Sequence, residues 1–301
     1  MTRAPHIRIA FLLALFGAAA LLCGCKSLQQ VAATGADILE QNPNLVPEKD
    51  RATWLQGAKA VKAMVEDIDT GEEIALGQSL AVRAFASFGR PHGDAALARY
   101  VSKVGKLVAL QSERPSMPYS FAVVENDAPN ALALPGGYIF ISTGLLKTLG
   151  SESELAAVLA HEVAHVAEKH GLETTLRDRR ISSLVDFGQA LDKDVAQYRQ
   201  FIDLAYQKLA TEGYDQSYEW KADLAGTGYA LRAGYQPEGL LPFLQQSAAS
   251  GGARAFEVFK THPDPSVRIK KIRTYLKSHG DYSALPKLQD RYQSEVLSRL
   301  R

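Results

Sequence analysis

His161 and His165 stand four residues apart with Glu162 between them, inside the stretch SESELAAVLAHEVAHVAEKHG at 151–171. The stretch reads as helix throughout. Ser151 and Glu154 have capping-box spacing, Leu155, Ala156, Val158, Leu159 and Ala160 favour a buried helix, and Gly171 supplies a stop. Residues four apart on a helix differ by about 40° around its axis, so both imidazoles point the same way, close enough to share one zinc ion. Glu162 lies about 100° round the axis, beside such an ion, where a carboxylate can polarise water. Two histidines and a glutamate on a solvated face would be unremarkable. Here the flanks are apolar, and burying three titratable groups without partners is expensive, so the metal reading is preferred. His170 falls about half a turn out of phase with His161 and misses the H-E-x-x-H-x-x-G-x-x-H spacing. It reads as a complement to the helix dipole or as a contact behind a ligand.

Two histidines need a third protein ligand, with the fourth position left open for chemistry. Glu219 is the best-placed carboxylate downstream. It sits one helical turn before Asp223, on a helix expected to begin near Ser217, among Trp220, Ala222, Leu224, Ala225 and Gly226. The apolar and small neighbours suggest carboxylates that point inwards, yet a solvated acidic face is the usual explanation for that spacing and local evidence alone slightly favours it. The demand for a third ligand turns the reading inwards, with Asp223 able to fix a histidine ring from behind.

The elements that must position these groups follow from periodicity. Residues 119–125, 130–134 and 138–142 alternate with period two, and Pro135-Gly136-Gly137 reads as a hairpin turn, so a small antiparallel sheet is expected just before the histidine helix. Its Asn130, Ala131, Leu132 and Ala133 form a strand whose edge could hold an extended peptide by backbone pairing. Helical spacing recurs in Trp54, Ala58, Val61 and Val65, in Ile74, Leu76, Leu80, Val82 and Phe85, and after Asp94 in Leu97, Tyr100, Val101, Val104 and Val108. A further helix carries Val195, Tyr198, Phe201, Ile202, Ala205 and Leu209 and is interrupted at 211–213. A last stripe joins Leu288, Tyr292, Val296 and Leu300. The class is α+β, mainly helical.

The 301 residues and 46% hydrophobic content suffice for one large domain or two small ones. A net charge of +1, spread along the chain, gives no electrostatic case for nucleic acid. Arg3 and Arg8 precede an apolar run at 9–22 that is too short for an ordinary membrane span. The run stops at Leu22-Cys23-Gly24-Cys25, which resembles a bacterial lipoprotein signal with Cys25 as the acylated residue. An uncleaved anchor and simple secretion are the alternatives. The expected organisation is a signal at 1–24, a tether at 25–50, a catalytic domain at 51–278 and a helical tail at 279–301. With both cysteines in the leader region, the mature chain could form no internal disulfide.

Five motifs in order carry a resemblance over about residues 72–276: Glu73-Ile-Ala-Leu-Gly77, Asn130-Ala-Leu-Ala-Leu-Pro-Gly-Gly137, His161-Glu-Val-Ala-His165, Glu219-Trp-Lys-Ala-Asp223 and Thr261-His-Pro-Asp-Pro-Ser-Val-Arg-Ile269. Together they resemble the HtpX-type and CAAX-prenyl-protease-type zinc metallopeptidases, in the periplasmic lipoprotein branch of barrel-assembly-enhancing type. The resemblance implies a zincin-like domain holding one Zn2+ through His161, His165 and Glu219, with Glu162 as general base and Asp223 orienting His161. The strand of Asn130, Ala131, Leu132 and Ala133 would be the substrate edge. Thr261-His262-Pro263 reads as a rigid loop into a helix capped at Asp264 with Pro265 in its first turn. The resemblance turns that loop to the active site, so that His262 either donates to the tetrahedral intermediate or masks the open zinc position at rest. Arg268 would lock the loop through an ion pair.

The implied activity is endopeptide hydrolysis in the bacterial envelope, on misfolded or misassembled proteins. The chain would be lipid-anchored and face the periplasm, with Lys26 favouring the outer membrane and a weaker link to the outer-membrane assembly machinery. Two departures stand out. No apolar run after residue 25 is long enough to span a membrane, and the residues after His279 leave room for one helix rather than a repeat array. A chaperone-like binding module with structural zinc and a zinc hydrolase of cell-wall peptides are the rivals.

Overall fold

A computed structural model describes residues 68–177, 195–214, 216–249 and 265–300. The expected leader with Cys25, the expected tether, the helix expected around Trp54–Val65 and the loop bearing His262 lie outside the described residues. The unit from Thr70 onward is mainly helical with one three-stranded sheet.

The helix at its centre is the one carrying the histidines, and composition explains why. Among Glu152–Ala167 (α4) every residue but Glu154 is buried. Leu155, Leu159 and Val163 are fully so, each worth about 1.5–3 kcal/mol of transfer free energy. Ser151 caps α4 by accepting from the Glu154 amide at 3.2 Å. The return arm of the capping box closes one residue early, with the Glu154 carboxylate accepting from the Gly150 amide at 2.9 Å. At the other end α4 stops at Ala167, earlier than Gly171 suggested, because Lys169 turns left-handed at φ 55°. Gly171 then falls in the first turn of His170–Arg177 (α5).

Thr70–Ser87 (α1), Ala95–Ala109 (α2) and Thr143–Thr148 (α3) flank the sheet and α4. Asp94 caps α2 through the Ala96 and Leu97 amides, and the expected stripe of Leu97, Val101, Val104 and Val108 faces the core. Val195–Gln207 (α6) ends in a π-type turn, Lys208–Glu212. Gln216–Arg232 (α7) lies along α4, followed by Leu240–Ala249 (α8), Pro265–Lys277 (α9) and Gln289–Glu295 (α10). The residues expected as a separate tail join the same core. Tyr292 and Val296 are fully buried, and the Tyr292 hydroxyl donates to the Leu146 carbonyl at 2.7 Å. Among the described residues no helix is long and apolar enough to cross a membrane.

The sheet comprises Ser120–Val124 (β1), Ala131–Leu134 (β2) and Tyr138–Ser142 (β3) in the order β1-β3-β2. β2 and β3 form the expected hairpin around Pro135–Gly137. β1, however, runs parallel to β3, so the sheet is mixed and not antiparallel as expected. The chain between β1 and β2 crosses to the far side of β3, which a period-two pattern cannot reveal. The crossing decides which strands lie at the two edges. β1 is covered by residues 90–92, through His92 to the Val123 carbonyl and Glu125 to the Arg90 carbonyl, both 2.9 Å. β2 is left at the other edge.

Candidate metal centre and active site

Helix α7 reaches α4 through small residues. A Cβ placed on Gly226 would sit 2.8 Å from the His161 amide nitrogen and 2.9 Å from its Cα. Only a glycine lets the two backbones meet there. Asp223 and Glu219 lie one and two turns back along the same face, so the close approach at Gly226 sets them opposite the histidines. The inward carboxylates expected from the small neighbours are found: Glu219 and Asp223 are both fully buried.

The donor atoms converge. His161 Nε2 and His165 Nε2 are 3.1 Å apart. Glu219 presents one oxygen to each, Oε2 to His161 at 3.5 Å and Oε1 to His165 at 3.4 Å. Zinc bonds of about 2.0–2.1 Å in tetrahedral geometry place neighbouring donors about 3.3–3.4 Å apart. The observed triangle is that size, and its chemistry, two imidazoles and one carboxylate, is a zinc donor set with a fourth position left over. The residues present fit the ion.

Behind the donors stands a second layer. Asp223 Oδ1 lies 3.1 Å from His161 Nδ1, and Arg268 on α9 grips Asp223 with both arms of its fork, Nε to Oδ2 at 2.8 Å and Nη2 to Oδ1 at 2.6 Å. Arg268 Nη1 also lies 3.6 Å from Glu219 Oε2. Arg268 thus pairs with the two carboxylates of α7, while the loop it is expected to lock lies outside the described residues. Burial alone would lower the His161 pKa, but Asp223 and Glu219 reverse this and push it up to about 9. Burial would raise the Asp223 pKa; Arg268 and His161 hold it below the usual carboxylate value. His165 is lowered, chiefly by burial.

His170 takes the second of its two expected roles. The break at Lys169 swings it back, so that its Nδ1 lies 3.1 Å from His165 Nδ1. Burial first, then the other histidines and Lys221, push its pKa down to about 3. Its ring stacks on Tyr218, whose hydroxyl donates to Glu173 at 2.6 Å. A residue the sequence reading missed is Tyr214. Its ring stacks flat on His165, with centroids 4.1 Å apart, and its hydroxyl donates to the Ala133 carbonyl at 3.1 Å. Burial, and then the Glu162 and Glu219 carboxylates, raise its pKa well above the phenol value, so it stays a donor.

Glu162 is buried and lines a narrow cleft together with Asn130, Ala131, Leu132 and Ala133. The Asn130 carbonyl accepts from the Ser142 amide, so alternate residues of β2 face β3. The backbone groups of Ala131 and Ala133 therefore face the cleft. Beneath β2, buried Glu73 accepts from the Gly136 amide at 3.1 Å and pairs with Arg114 at 2.7 Å. Arg114 in turn donates to the Val166 carbonyl near the end of α4.

The model of peptidase family M48 matches residues 95–276, more than half of the chain. The chain belongs to peptidase family M48. Metallopeptidases of this family use zinc, which agrees with the His161, His165 and Glu219 triangle. Among similar proteins, the mitochondrial metalloendopeptidase OMA1 of Schizosaccharomyces pombe is 31% identical over 179 residues, covering 59% of this chain and 52% of the relative. The beta-barrel assembly-enhancing protease of Yersinia pestis is 26% identical over 234 residues, 72% of this chain and 48% of its own length. Its counterpart in Escherichia coli K12 is 26% identical over 216 residues, 68% and 44% respectively. The chain thus spans about half the length of the curated relatives it matches.

Proposed function

We propose that this M48 chain is a zinc endopeptidase of the bacterial envelope that cleaves extended segments of misfolded or misassembled proteins. One observation carries the reading. Glu162 and the cleft-facing edge of β2 line the same cleft, beside the His161, His165 and Glu219 triangle.

The roles follow from position. His161, His165 and Glu219 would hold the ion, which when bound would supply Lewis acidity for a carbonyl and a water. Asp223, steadied by Arg268, accepts the Nδ1 proton of His161 and leaves its Nε2 lone pair free to bind. Glu162 takes a proton from the attacking water and hands it to the leaving amine. The amide and carbonyl groups of Ala131 and Ala133 pair with the substrate backbone, which fixes its direction without reading side chains. His262 enters as a donor to the developing oxyanion or as a mask of the resting site. A slower His262→Ala chain marks the first role and a faster one the second. An acyl anchor on Cys25 would set the cleft near the periplasmic face of the outer membrane. The names of the Yersinia and Escherichia relatives support a partner in β-barrel assembly.

The test is substrate class. The zinc-loaded full chain is offered an unfolded outer-membrane β-barrel protein, the same protein folded in detergent, and cell-wall muropeptides. Cleavage of the unfolded protein alone supports the reading. Cleavage of muropeptides alone would replace it with a cell-wall hydrolase, and binding of unfolded chains without cleavage would replace it with a chaperone-like module.

A further inference from the structure

Helix α6 does not simply stop. Its last turn widens to π geometry at Lys208–Glu212, closed by the Gly213 amide on the Lys208 carbonyl at 3.1 Å. Such turns gather at functional sites. Gly213 then takes φ 73° and ψ −159°, a region open to glycine and costly for any other residue. This bend drops Tyr214 onto His165. Leu209, Ala210, Gly213 and Tyr214 become a wall of the cleft that Glu162 and β2 also line.

The Tyr214 hydroxyl reaches the Ala133 carbonyl, one of the β2 groups that alternation directs into the cleft. That carbonyl is an acceptor an added peptide strand would need. The protein therefore donates a hydrogen bond to its own pairing edge, from a side chain whose ring rests on a metal-facing histidine. An extended segment pairing through Ala133 would compete with the hydroxyl for this carbonyl. Packing alone would be met equally well by phenylalanine, since the stack on His165 uses only the ring.

We infer that Tyr214 is a latch: the strap from Lys208 to Tyr214 occupies the β2 edge at rest and yields it to a peptide strand. The inference rests on reading β2 as the substrate edge. It adds that affinity for substrate is set by competition at Ala133. Proteins with long exposed strands would open the latch, because several backbone bonds outweigh one phenolic bond. Short or folded segments would not.

The experiment measures binding apart from hydrolysis. In a Glu162→Gln background, a fluorescein-labelled peptide of alternating valine and lysine is titrated against the full chain, with and without Tyr214→Phe. Removing one net hydrogen bond predicts binding tighter by about three- to ten-fold. With Glu162 intact, KM falls by a similar factor while zinc content stays unchanged. Gly213→Ala, which strains the bend, moves binding in the same direction. Unchanged or weaker peptide binding by Tyr214→Phe, with zinc and melting temperature preserved, overturns the latch. The two readings fail separately. Tighter binding in a chain that never cleaves keeps the latch and sinks the peptidase. Cleavage with peptide affinity indifferent to Tyr214→Phe does the reverse.

Discussion

Asp223 Oδ1 stands 3.1 Å from His161 Nδ1, a contact that on the proposed reading turns Nε2 of His161 towards the metal position. A neutral imidazole that donates from Nδ1 has its lone pair on Nε2, the atom facing His165 and Glu219. Asp223 can do this while buried because Arg268 neutralises it through two hydrogen bonds. Removing such a partner weakens metal binding by about 10- to 100-fold. Asp223→Ala should therefore lose zinc to a competing chelator at correspondingly lower chelator concentration than the parent. Equal retention would mean that His161 needs no orienting carboxylate.

The approach of α7 to α4 depends on the absence of a side chain at position 226. Gly226→Ala sets a methyl group 2.8–2.9 Å from backbone atoms of His161 and Ala160, which must move. Overpacking of this kind costs about 1–3 kcal/mol. Urea denaturation should register that loss, and metal titration should register weaker zinc binding, since Glu219 moves with its helix. A chain with full stability and full affinity would show that the helix pair is looser than these distances indicate.

Glu73 links α1, the turn beneath β2 and, through Arg114, the last turn of α4. Glu73→Gln leaves Arg114 without its counter-ion. Breaking a buried pair from one side costs about 3–5 kcal/mol, and the partial exposure of Arg114 reduces this to roughly 2–3 kcal/mol. Zinc affinity should change little beside the fall in unfolding free energy. A large loss of zinc with no loss of stability would assign Glu73 to the metal site instead.

The opposite end of α4 makes stability depend on pH. Glu152 is buried there and accepts from the Tyr235 hydroxyl at 2.7 Å, from the Tyr100 hydroxyl and from the Arg291 guanidinium. Burial would raise its pKa, but these donors outweigh burial and hold it below the ordinary carboxylate value. A carboxylate lowered by folding stabilises the native state above its unfolded pKa, and the contribution disappears as pH falls through the folded value. Denaturation free energy should therefore drop as pH falls below about 4, with a shallower drop in Glu152→Gln. Identical slopes would place the acid sensitivity elsewhere.

The sequence exposed what is local. The phase of His161 and His165, the pair Glu219 and Asp223, the cap at Ser151 and the three strands all follow from spacing within one element. What depends on contacts between elements did not appear. His170 is out of phase on a continuous helix and reaches His165 only because Lys169 breaks the helix with φ 55°. The ion pair of Arg268 could be expected but not its partner Asp223, 45 residues away. The parallel pairing of β1 with β3 follows from where a loop crosses, and it is this crossing that leaves β2 at the edge. Tyr214 gave one signal in hindsight, a glycine and an aromatic residue at the interruption between two helices.

The most direct test is to measure zinc content and proteolysis on the same preparations of the full chain and of Glu162→Gln. Both should hold about one zinc per chain, with cleavage of an unfolded β-barrel protein by the parent and loss of at least about two orders of magnitude in rate in the variant. Undiminished cleavage by a zinc-loaded Glu162→Gln chain would contradict it.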